Sequence, residues 1–439
     1  MKKIYIFLSF CVVLGGSEIK FDGNLPELIL AAQSSNLAQI SNYEPQKAQL
    51  QKEAVKSAYM PSLTIDGGYS FLSGDINVLR PQRAATARAI LELAVYDGGK
   101  REALLSSLSH LSAAGILKNE DYQNLLAFNA TKLYFSFLSL GELATAKEGE
   151  INYLKNALNR LEKYYRAGLS DESEYEAINA RYAMALAERL EITQNQNEIK
   201  NQIYALTGRD IKPVAGSRIA FTDDENSAPQ KSAKPELEAL SLNFAAALED
   251  EKITASETNP QIFIKNTYTF MRTHYDRNLL PAQYRSALEP YFDDFFKPNL
   301  NTNELILGFS WKAFDFGANK KQREIKRISA LQAKLNLDQK RLQNELNLTN
   351  IKNDLKTLEQ KIAAGESALN SAQTSLNAVS KKYEAGLLGY VEFLNATAQS
   401  FSAGSALELS KSKFEIKKAE YLYERGGKIA ENIEKTERK

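Results

Sequence analysis

Few residues in this chain have the type and spacing that catalysis or metal binding requires. The 439 residues include two histidines, His110 and His274, and neither has another metal ligand at the spacing of a metal site. Gly99-Lys100 is similar to the end of a phosphate-binding loop, but Ala94 stands where that motif needs its first glycine, and Glu102 follows where serine or threonine would be close. The sequence therefore indicates no enzyme, cofactor site or metal site.

The N-terminus has the features of a secretion signal. Two lysines precede an apolar run from Ile4 to Leu14, which is too short to span a bilayer, and small residues follow up to Ser17. We therefore predict a signal peptide over residues 1–17. The only cysteine, Cys11, lies inside it, and Phe10 before it makes lipid attachment there unfavourable. Cleavage would leave a mature chain without a thiol, which suits an oxidising compartment.

The charge balance argues against a nucleic acid partner, and the hydropathy argues against a membrane-spanning helix after the signal. Lys and Arg total 55 and Asp and Glu total 54, so the chain has no basic field for phosphate backbones, and no nucleic acid partner is expected. After the signal, no segment approaches 18 uninterrupted apolar residues. A membrane role would therefore depend on strands.

The chain repeats itself at a fixed distance, which indicates an internal duplication. Three landmarks recur 218 residues later: Tyr96-Asp97-Gly98 as Phe314-Asp315-Phe316, Tyr165-Arg166-Ala167-Gly168-Leu169 as Tyr383-Glu384-Ala385-Gly386-Leu387, and Gly208 as Gly426. Upstream, Pro61 corresponds to Pro260, a shift of 199, so the second copy carries an insertion, predicted as a long loop between Tyr275 and Asn303. We predict a first repeat over 18–208, a linker over 209–234, a second repeat over 235–426 and a tail over 427–439.

Each repeat is predicted to contain a helix, two strands and then very long helices. The strands, over 62–72 and 87–96 in the first copy, have one apolar face and one face with charge. Arg88 and Glu92 lie on the charged face of the first copy, and Glu304 and Lys312 on that of the second. Phe309 and Trp311 lie on the opposite face, and Tyr69, Tyr268 and Phe270 are also expected to face or border lipid.

A heptad seam of coiled-coil type runs through the helical part of each repeat. In the second copy it comprises Leu355, Leu358, Ile362, Leu369, Ala372, Leu376, Val379 and Tyr383, with Gly365 the weak position. In the first copy it comprises Phe137, Leu140, Ala144, Ile151, Leu154, Leu158, Leu161 and Tyr165, with Lys147 the exception. A helix from Gly98 to about Tyr164 would be on the order of 100 Å long, which suits a structure that bridges a periplasm.

The strand pattern favours several copies of the chain around a common axis. Lipid cannot satisfy the edges of a four-stranded sheet, so the edges must close against other copies. Two copies would give eight strands and a filled interior, whereas three would give twelve and leave a lumen. On this interpretation Arg88, Glu92, Glu304 and Lys312 face the water inside a barrel. A soluble sandwich would have the same alternation but would not explain export or the long coils.

At this point the duplicated arrangement of Tyr96 to Lys100, Phe314 to Gly317 and the paired Tyr-x-Ala-Gly-Leu turns resembles the TolC family of outer-membrane efflux proteins. The resemblance covers nearly the whole mature chain. It implies an α+β membrane protein of a Gram-negative bacterium: a homotrimer with a 12-stranded β-barrel in outer-membrane lipid, four strands per chain, continued by a long α-helical coiled-coil barrel through the periplasm. It also implies a periplasmic adaptor (membrane fusion) protein and an inner-membrane RND or ABC transporter as partners.

The resemblance also assigns roles to residues at the helix ends. Glycine can take the left-handed conformation that closes a last helical turn, and the family likeness makes both turns an adaptor-docking tip: Tyr165, Gly168, Leu169, Tyr383, Gly386 and Leu387. It further implies a pore gate of Glu174, Tyr383, Glu392 and Asn395. Leu388 stands where the family has an arginine, so closure here would depend on packing and on hydrogen bonds of Tyr383.

The function expected from these features is passive conduction by an outer-membrane channel subunit of a tripartite efflux or secretion system. One alternative is a surface or structural trimeric coiled coil without conductance. A periplasmic adaptor is a second alternative, but one helical hairpin flanked by small β-domains would not give the two-strand-plus-coil unit twice. The sequence leaves open the substrate and which pump and adaptor take part.

Overall fold

A computed structural model describes residues 23–74, 77–167, 171–221 and 234–435. The predicted signal peptide and two predicted tip residues, Gly168 and Leu169, lie outside these ranges. The helices are α1 (Leu25–Gln33), α2 (Asn36–Ala58), α3 (Lys100–Arg166), α4 (Glu172–Thr207), α5 (Pro235–Ser256), α6 (Ala282–Leu288), α7 (Phe292–Phe295), α8 (Ala318–Glu384) and α9 (Tyr390–Arg425). The strands are β1 (Ser62–Phe71), β2 (Arg83–Tyr96), β3 (Ser217–Ile219), β4 (Gln261–His274), β5 (Asn299–Ser310) and β6 (Ile433–Lys435).

The chain forms two compact units. The sheet unit comprises residues 42–119 and 235–342, and the helical unit comprises residues 1–41, 120–234 and 343–439. Both units therefore combine segments from the two predicted repeats, because the long helices α3 and α8 contribute residues to each. The predicted domain boundaries follow the repeat and remain a prediction.

The sheet unit contains one antiparallel four-stranded sheet in the order β1-β2-β4-β5. Its register places Asp66 opposite Arg88, Arg88 opposite Thr269, and Thr269 opposite Thr302. Side chains alternate between the two faces of a strand, so these four residues share one face. Within the described ranges, β1 and β5 each pair on one side only, which leaves two open edges.

The register separates an apolar face from a polar face, as the alternation predicted. The apolar face contains Leu63, Ile65, Tyr69, Phe71, Leu91, Leu93, Ile262, Ile264, Tyr268, Phe270, Leu305, Leu307 and Phe309. Several of these side chains are largely exposed in the single chain, and Leu307 and Phe309 are each 76% exposed. The polar face contains Asp66, Arg88, Glu92, Lys265, Thr267 and Glu304. A large apolar surface open on one side indicates an interaction surface.

The end of β5 differs from the prediction. Trp311 and Lys312 were expected within this strand, but the last ladder pair joins Ser310 to Gln261. Residue 311 would have to pair with Pro260, which has no backbone N–H to donate. The Trp311 indole N–H instead donates to the Thr258 carbonyl oxygen at 3.0 Å. Lys312 therefore lies beyond the sheet, and its predicted place among the strand charges is wrong.

The predicted long loop between β4 and β5 is also partly ordered. Two 3-10 turns, Arg277–Leu279 and Glu289–Tyr291, alternate with α6 and α7, and β5 already begins at Asn299. Arg277 donates to both carboxylate oxygens of Asp293, at 2.8 and 2.7 Å, and its guanidinium lies over the Phe292 ring. These local contacts give the insertion helical structure where composition alone predicted a loop.

The long helices have the lengths that the repeat predicted. Both α3 and α8 contain 67 residues, both α4 and α9 contain 36, and each second-copy helix begins 218 residues after its first-copy counterpart. Along α8 the heptad seam is buried or half-buried at every predicted position, including Gly365, while nearly all residues between these positions are exposed. The 3-4 spacing therefore identified the packed face of this helix correctly.

The core of the helical unit includes the short apolar helix α1. Asn24 caps α1 by accepting from the Glu27 backbone N–H at 3.0 Å, and Leu25, Leu28 and Ile29 are buried against α3 and α4 residues. Near this core β3 pairs antiparallel with β6. The predicted linker over 209–234 and the predicted tail over 427–439 thus each contain a strand.

None of the helices in the described ranges has an apolar stretch long enough to cross a lipid bilayer.

Candidate functional site

The described residues offer no arrangement for metal-dependent chemistry. His110 lies in α3 and His274 at the end of β4. In the part of the chain that the structure describes, no group of three or more His, Cys, Asp or Glu residues could hold a metal ion. The functional features are instead the helix ends, the two faces of the sheet and one buried cluster of charges.

The second predicted turn ends α8 as expected. Gly386 has a φ of 70°, in the left-handed region, its N–H donates to Tyr383, and the Leu387 N–H donates to the Lys382 carbonyl at 2.9 Å. This pattern satisfies the last carbonyl groups of the helix and turns the chain sharply towards α9. Leu387 is left 73% exposed. An exposed leucine on a tight turn is available to a partner.

Tyr383 contacts a second predicted gate residue, Glu174. Tyr383 lies one residue before the end of α8, and its hydroxyl donates to Glu174 Oε1 in the first turn of α4 at 2.8 Å. The Tyr383 ring stacks on Phe393 of α9 with a centroid distance of 4.6 Å. Burial, and after it the hydrogen bond to Glu174, raises the pKa of Tyr383 far above its ordinary range. The hydroxyl therefore keeps its proton and remains a donor at neutral pH.

Arg160 of α3 completes this site, and sequence reasoning did not find it. Its guanidinium lies 5.1 Å from the Tyr383 ring centroid and 3.6 Å from Glu384. Leu388, where the family arginine was expected, lines the adjacent cleft of about 490 Å³. A cation thus lies beside Tyr383, but it comes from another helix. No local spacing could indicate this, since more than 200 residues separate Arg160 from Tyr383. We call Arg160, Glu174, Tyr383 and Phe393 the helix-end cluster.

The other predicted gate and tip residues lie outside this cluster. Glu392 and Asn395, in the first two turns of α9, are both exposed. Tyr165, at the end of α3, stacks on Tyr175 of α4 with a centroid distance of 5.7 Å. The structure therefore brings together Tyr383 and Glu174 but not the full set of predicted gate residues.

The predicted lumen charges lie on the polar face of the sheet, except for Lys312. Arg88 Nε donates to Asp66 Oδ1 at 2.8 Å across the β1–β2 pair. Glu92 stands directly opposite Lys265. Glu304 lies on the same face, opposite Thr267. Opposite charges placed across strands in this way stabilise the pairing modestly, and they favour contact of this face with water.

A cluster of charges around the buried Glu150 connects α3 and α4 in the helical unit. The Glu150 carboxylate, with a side chain only 1% exposed, accepts from Lys147 Nζ at 2.5 Å and from Arg181 Nη2 at 2.6 Å. Lys147 also donates to Glu188 at 2.5 Å. Burial alone would lower the pKa of Lys147, but the hydrogen bonds to Glu150 and Glu188 outweigh it and raise that pKa. Lys147, the exception in the heptad seam, is therefore an ion-pairing residue.

The charged cluster belongs to the first copy alone. Positions 218 residues after Lys147, Glu150, Arg181 and Glu188 are occupied by Gly365, Ala368, Gln399 and Ala406. In the second copy Gly365 lies close to Leu407, where an added Cβ would come within 3.3 Å of its Cδ1. At this level the first helix pair is joined by ion pairs and the second by the close approach of Gly365 to Leu407.

Comparisons with known proteins agree with this arrangement. A family model described as outer membrane efflux protein matches residues 230–419. The outer membrane protein TolC of Escherichia coli is 22% identical over 426 residues, which covers 95% of this chain and 85% of that protein. The outer membrane protein TolC of Salmonella enteritidis is 20% identical over 436 residues, with coverage of 97% and 86%.

Solved structures share the fold. The outer membrane protein VceC from Vibrio cholerae is similar with a TM-score of 0.76 at 17% identity, over 92% of this chain and 96% of that one. The Campylobacter jejuni CmeC outer membrane channel is similar with a TM-score of 0.78 at 13% identity, over 92% and 86%. At these identities the likeness concerns the fold.

Proposed function

We propose that this chain is a member of the TolC family of outer membrane efflux proteins, and that three copies form a passive conduit from the periplasm to the cell exterior. The protein is located in the outer membrane and functions as an efflux channel, and like its family it is not an enzyme. The number of copies, the route and the partners are the parts that we propose.

The four-stranded sheet is the observation that carries the proposal. Its apolar face is open to the surroundings, its opposite face carries charge, and its edges β1 and β5 lack partners within the described chain. On β1 the apolar side chains extend from Leu63 to Phe71, which corresponds to about 20 Å of membrane depth at about 3.4 Å per residue and a tilt of about 40°. In lipid such edges must be paired, so copies of the sheet join β5 to β1.

Three copies are favoured because twelve strands leave a lumen and eight do not. The polar face then lines the pore, where Arg88, Glu92 and Glu304 contact water. Phe309, Tyr69, Tyr268 and Phe270 lie on the apolar face and contact lipid, where aromatic side chains are favoured near the interfaces. Trp311 and Lys312 border the barrel just beyond β5.

The long helices are proposed to continue the barrel as a coiled-coil tunnel through the periplasm. The equal lengths of α3 and α8, and of α4 and α9, support an origin by duplication of one strand-and-coil unit. Two similar units per chain give six around a trimer, which suits a tube better than a single unit would.

We propose that the helix ends close the pore and bind a periplasmic adaptor. The bond from Tyr383 to Glu174 supports closure, and we propose that it ties the α8–α9 pair to the α3–α4 pair. Three copies of Glu392 near an axis would attract cations and disfavour anions, and Asn395 would add polar groups there. The turn with Gly386 and the exposed Leu387 would meet a periplasmic adaptor together with Tyr165 and the predicted tip residues Gly168 and Leu169. The adaptor opens the tip for an inner-membrane RND or ABC transporter.

Conductance and assembly test the proposal directly. Outer-membrane protein loaded on a gel without boiling should migrate as a trimer, and the purified trimer should conduct ions in a planar lipid bilayer. A coiled coil on the cell surface, the second candidate, predicts a trimer without conductance. A soluble monomer would contradict both.

The Gly386→Pro variant tests the function of the tip separately from that of the barrel. Proline cannot adopt the left-handed φ observed for Gly386, so the turn after α8 should be disrupted while the sheet stays intact. We expect normal trimers in the membrane and loss of efflux. Unchanged drug sensitivity in cells with this variant would count against the assignment of the tip.

A further inference from the structure

We propose that Tyr165 donates a hydrogen bond to Glu392 of a neighbouring copy of this chain, and so joins adjacent copies at the helix ends. The inference rests on the proposed trimeric channel and assigns a specific partner to two residues of its tip. It follows from the contact between Tyr383 and Glu174, because the internal repeat predicts an equivalent contact at the boundary between copies.

The repeat relates the two sets of residues one by one. An offset of 218 converts Tyr165 into Tyr383, Glu174 into Glu392 and Tyr175 into Phe393. The local geometry repeats as well, since Tyr165 stacks on Tyr175 at 5.7 Å and Tyr383 stacks on Phe393 at 4.6 Å, with interplanar angles of 18° and 20°. The two helix pairs thus present their tyrosines in the same way.

The hydrogen bond from Tyr383 to Glu174 has no counterpart between Tyr165 and Glu392 among the described residues of one chain. Tyr383 of the α8–α9 pair donates to Glu174 of the α3–α4 pair. In a closed ring of alternating pairs, each α8–α9 pair has two neighbours: the α3–α4 pair of its own chain and that of the next copy. Applying the same offset to the observed bond gives Tyr165 of the next copy donating to Glu392.

Both groups are available for this bond. Tyr165 is 40% exposed and Glu392 is exposed, and within the described residues neither the hydroxyl nor the carboxylate has a hydrogen-bond partner. The charges also suit the contact: Arg166, which pairs with Glu162 at 2.6 Å, occupies the position equivalent to Glu384, so a cation follows Tyr165 where an acid follows Tyr383. Ala378 occupies the position equivalent to Arg160, so the new contact lacks the guanidinium over the ring.

Chemical cross-linking tests the neighbour relation. Tyr165→Cys and Glu392→Cys are introduced together into full-length protein that also carries Cys11→Ser. A tyrosine–glutamate bond holds the backbones more than about 7 Å apart, too far for a disulfide, so a short bismaleimide is the reagent. We expect covalent dimers and trimers on a denaturing gel from the double variant, none from Tyr165→Cys alone, and far fewer from Glu392→Cys alone, whose thiols could meet only across the pore axis. A native trimer without cross-links would overturn the inference and leave the channel intact, whereas a monomer would defeat both.

A double-mutant cycle tests the bond itself. We expect Tyr165→Phe and Glu392→Met each to raise the open probability of the reconstituted channel at least tenfold, because each removes three equivalent bonds from a trimer and about 0.5 kcal/mol per bond already sums to about 1.4 kcal/mol. The double variant should open no more than either single variant, because both remove one contact. Tyr164→Phe, at the neighbouring exposed tyrosine, is the matched control and should change nothing. Multiplicative effects of the two single variants would contradict the bond.

Discussion

For the charged cluster of Lys147, Glu150, Arg181 and Glu188, we predict that a double variant loses less free energy of unfolding than one of its single variants. Lys147→Met leaves the Glu150 carboxylate, only 1% exposed, with the half-buried Arg181 as its remaining cation. Removing one partner of a buried ion pair costs about 3–5 kcal/mol when nothing replaces it. Because Arg181 stays at 2.6 Å, we expect Lys147→Met to lower the free energy of unfolding of the helical unit by about 2–3 kcal/mol.

The double variant Lys147→Met and Glu150→Met should be more stable than Lys147→Met alone. Apolar side chains then fill the site, and Arg181 retains Glu188 at 3.9 Å. Replacement of a buried ion pair by apolar residues is often nearly neutral, so a loss of about 1 kcal/mol or less is expected. Glu150→Met alone should cost about 1 kcal/mol or less, because Lys147 and Arg181 both retain Glu188. Subtracting both single losses from the double loss then gives a coupling of about 2 kcal/mol, within the range for contacting residues.

The assay is guanidinium chloride unfolding of the detergent-purified protein, followed by far-UV circular dichroism, which reports the helices. Lys155→Met, an exposed lysine on the same helix, is the matched control and should change stability by no more than about 0.5 kcal/mol. A double variant that loses at least the sum of the two single losses would refute the reasoning.

Three further predictions concern the gate, the membrane face and the pore. Since the pKa of Tyr383 is raised, its contribution to closure is complete below the ordinary tyrosine pKa and lost as the pH rises through the raised value; single-channel recordings should show more opening in strong alkali, and Tyr383→Phe should abolish this step. Leu307→Lys places a charge on the apolar face at a cost of about 2–4 kcal/mol and should reduce trimer yield in membranes, whereas Ile306→Lys on the polar face should assemble normally. Arg88→Glu should shift the channel towards cation selectivity in reversal-potential measurements, and an unchanged reversal potential would remove Arg88 from the pore.

Sequence periodicity determined the elements of this protein because the signals are local. The 218-residue offset and the heptad seam gave the lengths of α3 and α8, and alternation placed Arg88 and Glu92 on the face opposite Leu91. The left-handed conformation of Gly386 could also be predicted, since only a residue without a side chain adopts it at little cost.

The tertiary structure decided the features that depend on residues far apart in the chain. Pro260 ends the ladder before Lys312, a limit visible only once the register between β4 and β5 is known. Lys147 is a defect in the heptad seam by sequence alone, but the structure pairs it with Glu150 and Glu188. Arg160 approaches Tyr383 across the fold, and no spacing along the chain carries that information, because a side-chain contact depends on where two backbones meet.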